Sequence, residues 1–406
     1  MSTAARNDDE RPNRAVRGGL VLKVALAHDY LNQEGGAERV VEVLCRTYPD
    51  SPLYTSVYDA AAMDPFWRDV DVRASFMQSL HPSLRVAKAL LPLYPFAFES
   101  FDFTGYDVVL SSCSTFAKGI VTGPATCHVC YCHSPARYAW MYRDYVAGMR
   151  LGRVGRAVLP AVISPLRVWD YAAAQRVDHF IANSRNTAAR IAKYYRREAT
   201  VLHPPIDVDA FTPAATTEPY FLVLARLLPY KRIDVAIEAF NRLRWPLLVV
   251  GDGPDAGRLR RLAGPTVRFA GRVDDAEARH HLRHCQALIW PGEEDLGIAP
   301  LEALASGRPV VAYRAGGAVE TLVDGVTGRF FDRQTPYALM DVLRSFDPDG
   351  YDQGVLRAHV AEFDVDIFQR RLQQFVTTAA ERYDPRNVVT AEPNLSDARD
   401  RDQRGR

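Results

Sequence analysis

Residues 290–307 read WPGEEDLGIAPLEALASG, and the fold follows from how that stretch divides. Ala287-Leu288-Ile289-Trp290 has the length and composition of a buried strand, and Pro291-Gly292 stop it. A short acidic loop follows. Pro300 is tolerated in the first turn of a helix, where its missing N–H costs nothing, and Gly307 with Pro309 behind it ends that helix. Glu294 therefore precedes the helix and Glu302 lies within it, with seven residues between them. The helix N-terminus directs unpaired backbone N–H groups and a partial positive charge into the space beside Glu294.

Such a place suits a ligand with phosphate in its middle and hydroxyls at both ends, as in a nucleoside diphosphate sugar. Two other readings stay open at this level. One is a plain loop glutamate with a solvated helix glutamate. The other is a glycosidase pair, which needs carboxyl groups about 5–9.5 Å apart, whereas eight helical steps span about 12 Å.

Outward from this stretch, β-like and α-like segments alternate twice over, the pattern of two doubly wound α/β domains. The first opens with an apolar run at 22–27, then Gly35-Gly36, then helical periodicity over 37–47 through Val40, Val41 and Leu44. Strand, glycine turn and helix let a phosphate or sugar approach the backbone. A further strand over 129–132 ends at His133-Ser134-Pro135, which places the histidine at a cleft mouth. The second domain opens with a strand at 220–224 and a helix at Ile233–Leu243, and Arg226 and Lys231 straddle the turn between them.

Gly251-Asp252-Gly253-Pro254 half-matches a dinucleotide fingerprint, but no carboxylate ends the next strand, so a dehydrogenase is not expected. Cys127, Cys130, Cys132 and His133 lack a second ligand pair, since Cys45, Cys113 and Cys285 stand alone, and no metal is expected.

Composition narrows the class. At 406 residues two domains are the prior; 48% hydrophobic and 24% charged residues are ordinary for a globular protein. A net charge of +1 argues against a general nucleic-acid binder. There is no apolar run long enough to span a membrane, no signal-peptide core, and no regular cysteine spacing, so a cytoplasmic protein is expected. The polar ends, residues 1–18 and 385–406, are expected to be disordered.

Glu294-Asp295-Leu296-Gly297-Ile298-Ala299-Pro300-Leu301-Glu302 resembles the E-x7-E signature of the retaining glycosyltransferases of family four, and its wording is similar to bacterial O-antigen and exopolysaccharide mannosyltransferases. Leu296 stands where an aromatic is common. The order Cys-His-Ser-Pro at 132–135 and Gly-Asp-Gly-Pro at 251–254 also match. The resemblance covers about residues 22–384 and is strongest over 226–331. It implies the GT-B fold, an α/β arrangement of two Rossmann-like doubly wound domains facing each other across a cleft. The expected divisions are 19–205, 206–365, and a helix at 366–384 crossing back to the first domain.

The resemblance also implies roles. Glu302 would hold the ribose, Glu294 and His133 the sugar, and Arg226 and Lys231 the diphosphate. Leu296, Gly297 and Ile298 would line the helix tip, Gly35 and Gly36 the cleft floor, and Val273 and Asp275 the nucleotide base. A carboxylate at Asp275 suits guanine, with its two adjacent N–H donors, so GDP-mannose is the expected donor. No metal or other cofactor is implied. The expected acceptor is a glycan or polyprenyl-linked glycan. Residues 83–103 and 149–167, the latter carrying Arg150, Arg153, Arg156 and Arg167, offer amphipathic surfaces for peripheral contact with the inner membrane face. A transferase using a UDP-sugar, a sugar-nucleotide epimerase and a non-catalytic sugar-nucleotide-binding protein are the alternatives.

Overall fold

A computed structural model describes residues 16–17, 20–80, 90–142 and 153–383. The first domain runs β1 (Val16–Arg17), β2 (Leu20–Val21), β3 (Val24–His28), α1 (Gly36–Thr47), β4 (Leu53–Thr55), β5 (Val72–Ala74), α2 (Tyr94–Glu99), β6 (Val108–Cys113), β7 (Cys127–Cys132), α3 (Arg137–Trp140), α4 (Arg153–Gln175), β8 (His179–Ala182), α5 (Arg185–Tyr195) and β9 (Ala199–Val201). Strands β3 to β9 form one parallel sheet in the order β5-β4-β3-β6-β7-β8-β9. Every residue of β3, β6 and β7 is buried, so the sheet is covered on both faces. Along β3 the side chains alternate, with Ala25 and Ala27 in one core and Val24 and Leu26 in the other.

The second domain runs β10 (Phe221–Leu224), α6 (Ile233–Leu243), β11 (Leu247–Val250), α7 (Ala256–Leu262), β12 (Val267–Gly271), α8 (Asp275–His284), β13 (Leu288–Trp290), α9 (Ile298–Ala305), β14 (Val310–Tyr313), α10 (Ala318–Thr321), β15 (Gly328–Phe331), α11 (Pro336–Arg344) and α12 (Gln353–Val360). Its parallel sheet has the order β12-β11-β10-β13-β14-β15. The last helix, α13 (Val365–Arg382), places Phe368, Leu372, Val376, Ala379 and Ala380 in a core shared with β3 and β7 of the first domain. A helix that leaves one domain and buries its apolar stripe on the other ties the two together at the back.

In each sheet the chain leaves a central strand to one side and returns on the other. These switch points lie between β3 and β6 and between β10 and β13. Loops diverge at the carboxyl ends of such strand pairs, and ligands gather there.

One expectation needs correction. Val16 and Arg17 are not part of a disordered tail; they pair antiparallel with Leu20 and Val21, beside α13. An isolated two-strand ribbon is marginal in water, so the neighbouring helix is its support. Residues 1–15, 18 and 385–406 lie outside the described residues, as do 83–89 and 149–152 of the two stretches expected to meet a membrane, with the side chains of Arg153 and Arg156. Of the described remainder, Ile163 and Leu166 belong to the first-domain core, and Arg167 Nε donates to the Ala139 carbonyl at 2.6 Å. Phe96 and Val168 stay 64% and 70% exposed. Among the described residues no helix is long and apolar enough to cross a membrane.

Candidate active site

The acidic loop after β13 and the basic turn after β10 both rise from the second switch point. Gly297 caps α9 with φ +90°, and a Cβ there would lie 2.8 Å from the Trp290 ring, so only glycine lets the chain turn into the helix at this spot. The turn Gly316-Gly317 packs beneath the loop. Added Cβ atoms would fall 2.2 Å from the Glu294 carbonyl oxygen and 2.1 Å from Leu296 Cα, and the Gly317 amide donates to the Glu294 carbonyl at 2.9 Å. Leu296 was expected to line the donor site, but its side chain is 2% exposed and lies in the second-domain core. It has only its backbone to offer a ligand, because the apolar side chain is better buried than left at the helix tip.

Lys231 Nζ is 2.7 Å from Glu294 Oε1, both side chains are largely buried, and the ammonium also lies 5.1 Å from the Trp290 ring centroid. Arg226 is exposed and reaches the first domain, donating to Gln33 Oε1 at 2.7 Å. The Gly-Asp-Gly-Pro turn braces this region. Cβ atoms on Gly251 and Gly253 would fall 2.0 and 2.4 Å from the carbonyl oxygens of Ala225 and Leu227, so those glycines serve backbone packing beside Arg226.

At the other end, Glu302 is buried on α9 and takes a hydrogen bond from Arg39 of α1, which also donates to Asp275 Oδ1 at 3.1 Å. The attraction of Glu302 raises the Arg39 pKa. Asp274, not Asp275, caps α8 through the Glu277 amide at 2.8 Å, which leaves the Asp275 carboxylate for other partners. Val273 packs half-buried against the second-domain core.

Across the cleft, Gly35 is extended and Gly36 begins α1. A Cβ on Gly36 would come within 3.1 Å of the Ile298 side chain, so the glycine loop and the α9 tip meet. His133 lies just beyond β7 with Nε2 2.8 Å from Ser112 Oγ. Burial, and then the nearby His28, depress its pKa to about 3 against the pull of Asp29, so the ring is neutral at ordinary pH. His28 Nδ1–H donates to the Ser112 carbonyl at 3.0 Å and Nε2 is 3.7 Å from Glu38 Oε1. Burial opposes its charge, yet Glu38 and Asp29 outweigh that and its pKa is raised. Buried Asp29 accepts from the amides of Ser114, Thr115, Phe116 and Ala117 at 2.6 to 2.9 Å, which fixes the loop after β6.

Several residues escaped the sequence reading. Arg39, Arg137 and Arg190 of the first domain hold carboxylates of the second: Arg137 Nη2 donates to Asp295 Oδ2 at 2.6 Å, and Arg190 donates to the other Asp295 oxygen. Glu320 of α10 accepts from the Arg185 and Asn186 amides at 2.7 and 3.0 Å, at the start of α5, and from His203 Nε2 at 3.2 Å. Burial would raise the Glu320 pKa, but these donors more than offset it and hold it below the usual range. Asp295 stands inside the quoted E-x7-E stretch and Arg137 two residues past Cys-His-Ser-Pro, where they were findable; Arg39, Arg190 and Glu320 carry no local signal. Among the described residues no group of three or more His, Cys, Asp or Glu side chains is placed to hold a metal. Another hollow in the second domain is lined by Thr216, Gly307, Arg308 and Asp349. It lies at the carboxyl end of α9, where the helix dipole repels a diphosphate.

Comparison with known proteins covers both domains. The family described as "Glycosyltransferase Family 4" matches residues 34–210 and "Glycosyl transferases group 1" matches 207–350. The chain is 32% identical over 222 residues to a GDP-mannose-dependent alpha-(1-6)-phosphatidylinositol monomannoside mannosyltransferase of Mycolicibacterium smegmatis, covering 47% of this chain and 57% of that one. It is 29% identical over 207 residues to a D-inositol 3-phosphate glycosyltransferase of Streptomyces avermitilis, 42% and 45% of the two chains. The matched stretch thus spans about half the length of these curated relatives. Among solved structures, sucrose-phosphate synthase from Thermosynechococcus elongatus superposes with TM-score 0.70 at 17% identity over 87% of this chain and 98% of that one. HepE of Anabaena in complex with UDP-glucose gives 0.66 at 17% identity over 88% and 100%. At such identities the structures speak for the fold alone.

Proposed function

Because this chain belongs to the family-four glycosyltransferases with the GT-B fold, we propose that it moves a sugar from a nucleoside diphosphate sugar to an acceptor hydroxyl with retained anomeric configuration. The observation that carries this reading is the pairing of Lys231 with Glu294 beside the α9 tip, opposite the Gly35-Gly36 loop. The α9 amides, Arg226 and Lys231 take the diphosphate, whose negative charge grows as it departs. Glu302 takes the ribose hydroxyls and Glu294 the hexose hydroxyls. His133, whose charged form is disfavoured by burial, hydrogen-bonds the sugar as a neutral ring. The bond from the anomeric carbon to the phosphate oxygen breaks, the acceptor oxygen bonds that carbon on the same face, and the acceptor proton passes to a donor phosphate oxygen. The products are a nucleoside diphosphate and a glycoside.

The donor we favour is GDP-mannose. Asp275 matches the two N–H donors of guanine, and relatives of this chain are named for that donor. Calorimetry with GDP-mannose, GDP-glucose, UDP-glucose and UDP tests it: GDP-mannose should bind at least about tenfold tighter than any UDP ligand, or about 1.4 kcal/mol. Tighter UDP-glucose binding would overturn the base assignment, and no binding by any of them the transferase reading.

The acceptor we favour is a lipid-linked glycan met at a membrane face. Phe96 and Val168 are exposed on two helices that the Trp169–Glu99 hydrogen bond of 2.8 Å joins. Sedimentation with anionic vesicles at low salt should carry the protein down; protein left in the supernatant removes this part of the proposal.

A further inference from the structure

Asp295 follows Glu294 directly, and none of the roles above uses it. Its carboxylate is 13% exposed, and each oxygen takes one guanidinium from the other domain. Arg137 comes from the first residue of α3, just past His133, and Arg190 from the middle of α5. Neither cation stops at Asp295. Arg137 also lies over the Tyr230 ring at 4.5 Å, and Tyr230 adjoins Lys231. Arg190 Nη2 reaches Glu293 Oε1 at 3.5 Å, and Glu293 adjoins Glu294. The two arginines therefore grip the chain on both sides of the Lys231–Glu294 pair. Burial disfavours the Arg137 charge, yet Asp295 more than offsets it and its pKa is raised.

In the closed molecule a carboxylate this buried cannot lose a cation cheaply, because water is not there to replace it. Separating the domains would remove both arginines together. Closure and the geometry of the loop are thus one equilibrium, since the partners of Asp295 exist on one side of it only.

We infer that Asp295 is a positioning residue: its clamp by Arg137 and Arg190 holds Glu294 and Lys231 in working alignment only when the two domains are closed. This rests on the transferase reading of the same loop. The clamp touches no substrate atom, so it governs the transfer step more than donor affinity. Ribose and diphosphate contacts through Glu302 and Arg226 remain available in an open molecule.

The test uses the full chain and three variants: Asp295→Asn, Arg137→Gln and Asp295→Glu. Asp295→Asn should lower kcat about a hundredfold, the cost of roughly an ångström of misplacement at a reacting centre. Donor KM and nucleoside diphosphate affinity should stay within about threefold, within the loss expected of one exposed polar contact. Arg137→Gln should give the same split from the opposite domain, and Asp295→Glu should restore part of kcat. Small-angle scattering of nucleotide-free protein should show a larger radius of gyration for Asp295→Asn than for wild type. Wild-type kcat in Asp295→Asn, or equal losses in kcat and nucleotide affinity, would overturn the inference. The scattering arm needs no donor: if wild type neither binds nor transfers a sugar, identical profiles for wild type and Asp295→Asn overturn the clamp, and a larger variant supports it.

Discussion

The two ends of the cleft are held by different physics. At the proposed sugar and diphosphate end, Lys231 and Glu294 are 14% and 13% exposed, and Asp295 beside them is equally sheltered. At the proposed nucleoside end, buried Glu302 meets Arg39 at 49% exposure, and Arg39 meets Asp275 at 68%. Charges in the first group act through little water, where attraction and the cost of losing a partner are both large. The Arg39–Asp275 contact is of the exposed kind, worth about 0–1 kcal/mol and screened by salt. That contrast suits the proposed donor, whose nucleoside must enter and leave while its sugar must be aligned once.

Three substitutions would break or sharpen this contrast. Lys231→Ala strands Glu294 and, in the proposed reaction, removes charge from the departing diphosphate. Turnover should fall by about two to three orders of magnitude, as when one preorganised electrostatic donor is lost, and steady-state rates near wild type would refute its role. Glu302→Gln keeps the shape but weakens the acceptor for the ribose hydroxyls. Donor KM should rise about tenfold, near 1.4 kcal/mol, with kcat within about threefold; a kcat loss larger than the KM change would move Glu302 to the reacting end. Arg39→Ala should be mildest. Freed of the guanidinium, Glu302 should bind donor up to about threefold tighter at low salt, and the gain should vanish near about 0.5 M salt. A titration in which Arg39→Ala costs more than Lys231→Ala would reverse the ranking of the two ends.

The second-domain elements around the site were legible because their signals are local. β13 ends at Pro291-Gly292 as read, α9 carries Pro300 in its first turn, and Gly307 closes it with φ +73°. The short strands β4 and β5 went unread. Three residues are too few for a period, and their identity as strands comes from pairing with β3 and with each other. Leu296 shows the same limit at the site: its place in the signature suggests a ligand contact, and its apolar side chain packs in the second-domain core instead.

What the sequence determined by itself was the alternation that makes two doubly wound domains, and the carboxylates, cations and glycines set at strand ends. Periodicity, caps and breakers act over a few residues, so they are written in order along the chain. Tertiary structure alone decided which charges meet. Arg39 pairs with Glu302 across 263 residues, and Arg137 and Arg190 reach Asp295 across 158 and 105. An ion pair forms where two domains bring opposite charges within a few ångströms in a place poor in water, and a linear sequence records neither that separation nor that dryness.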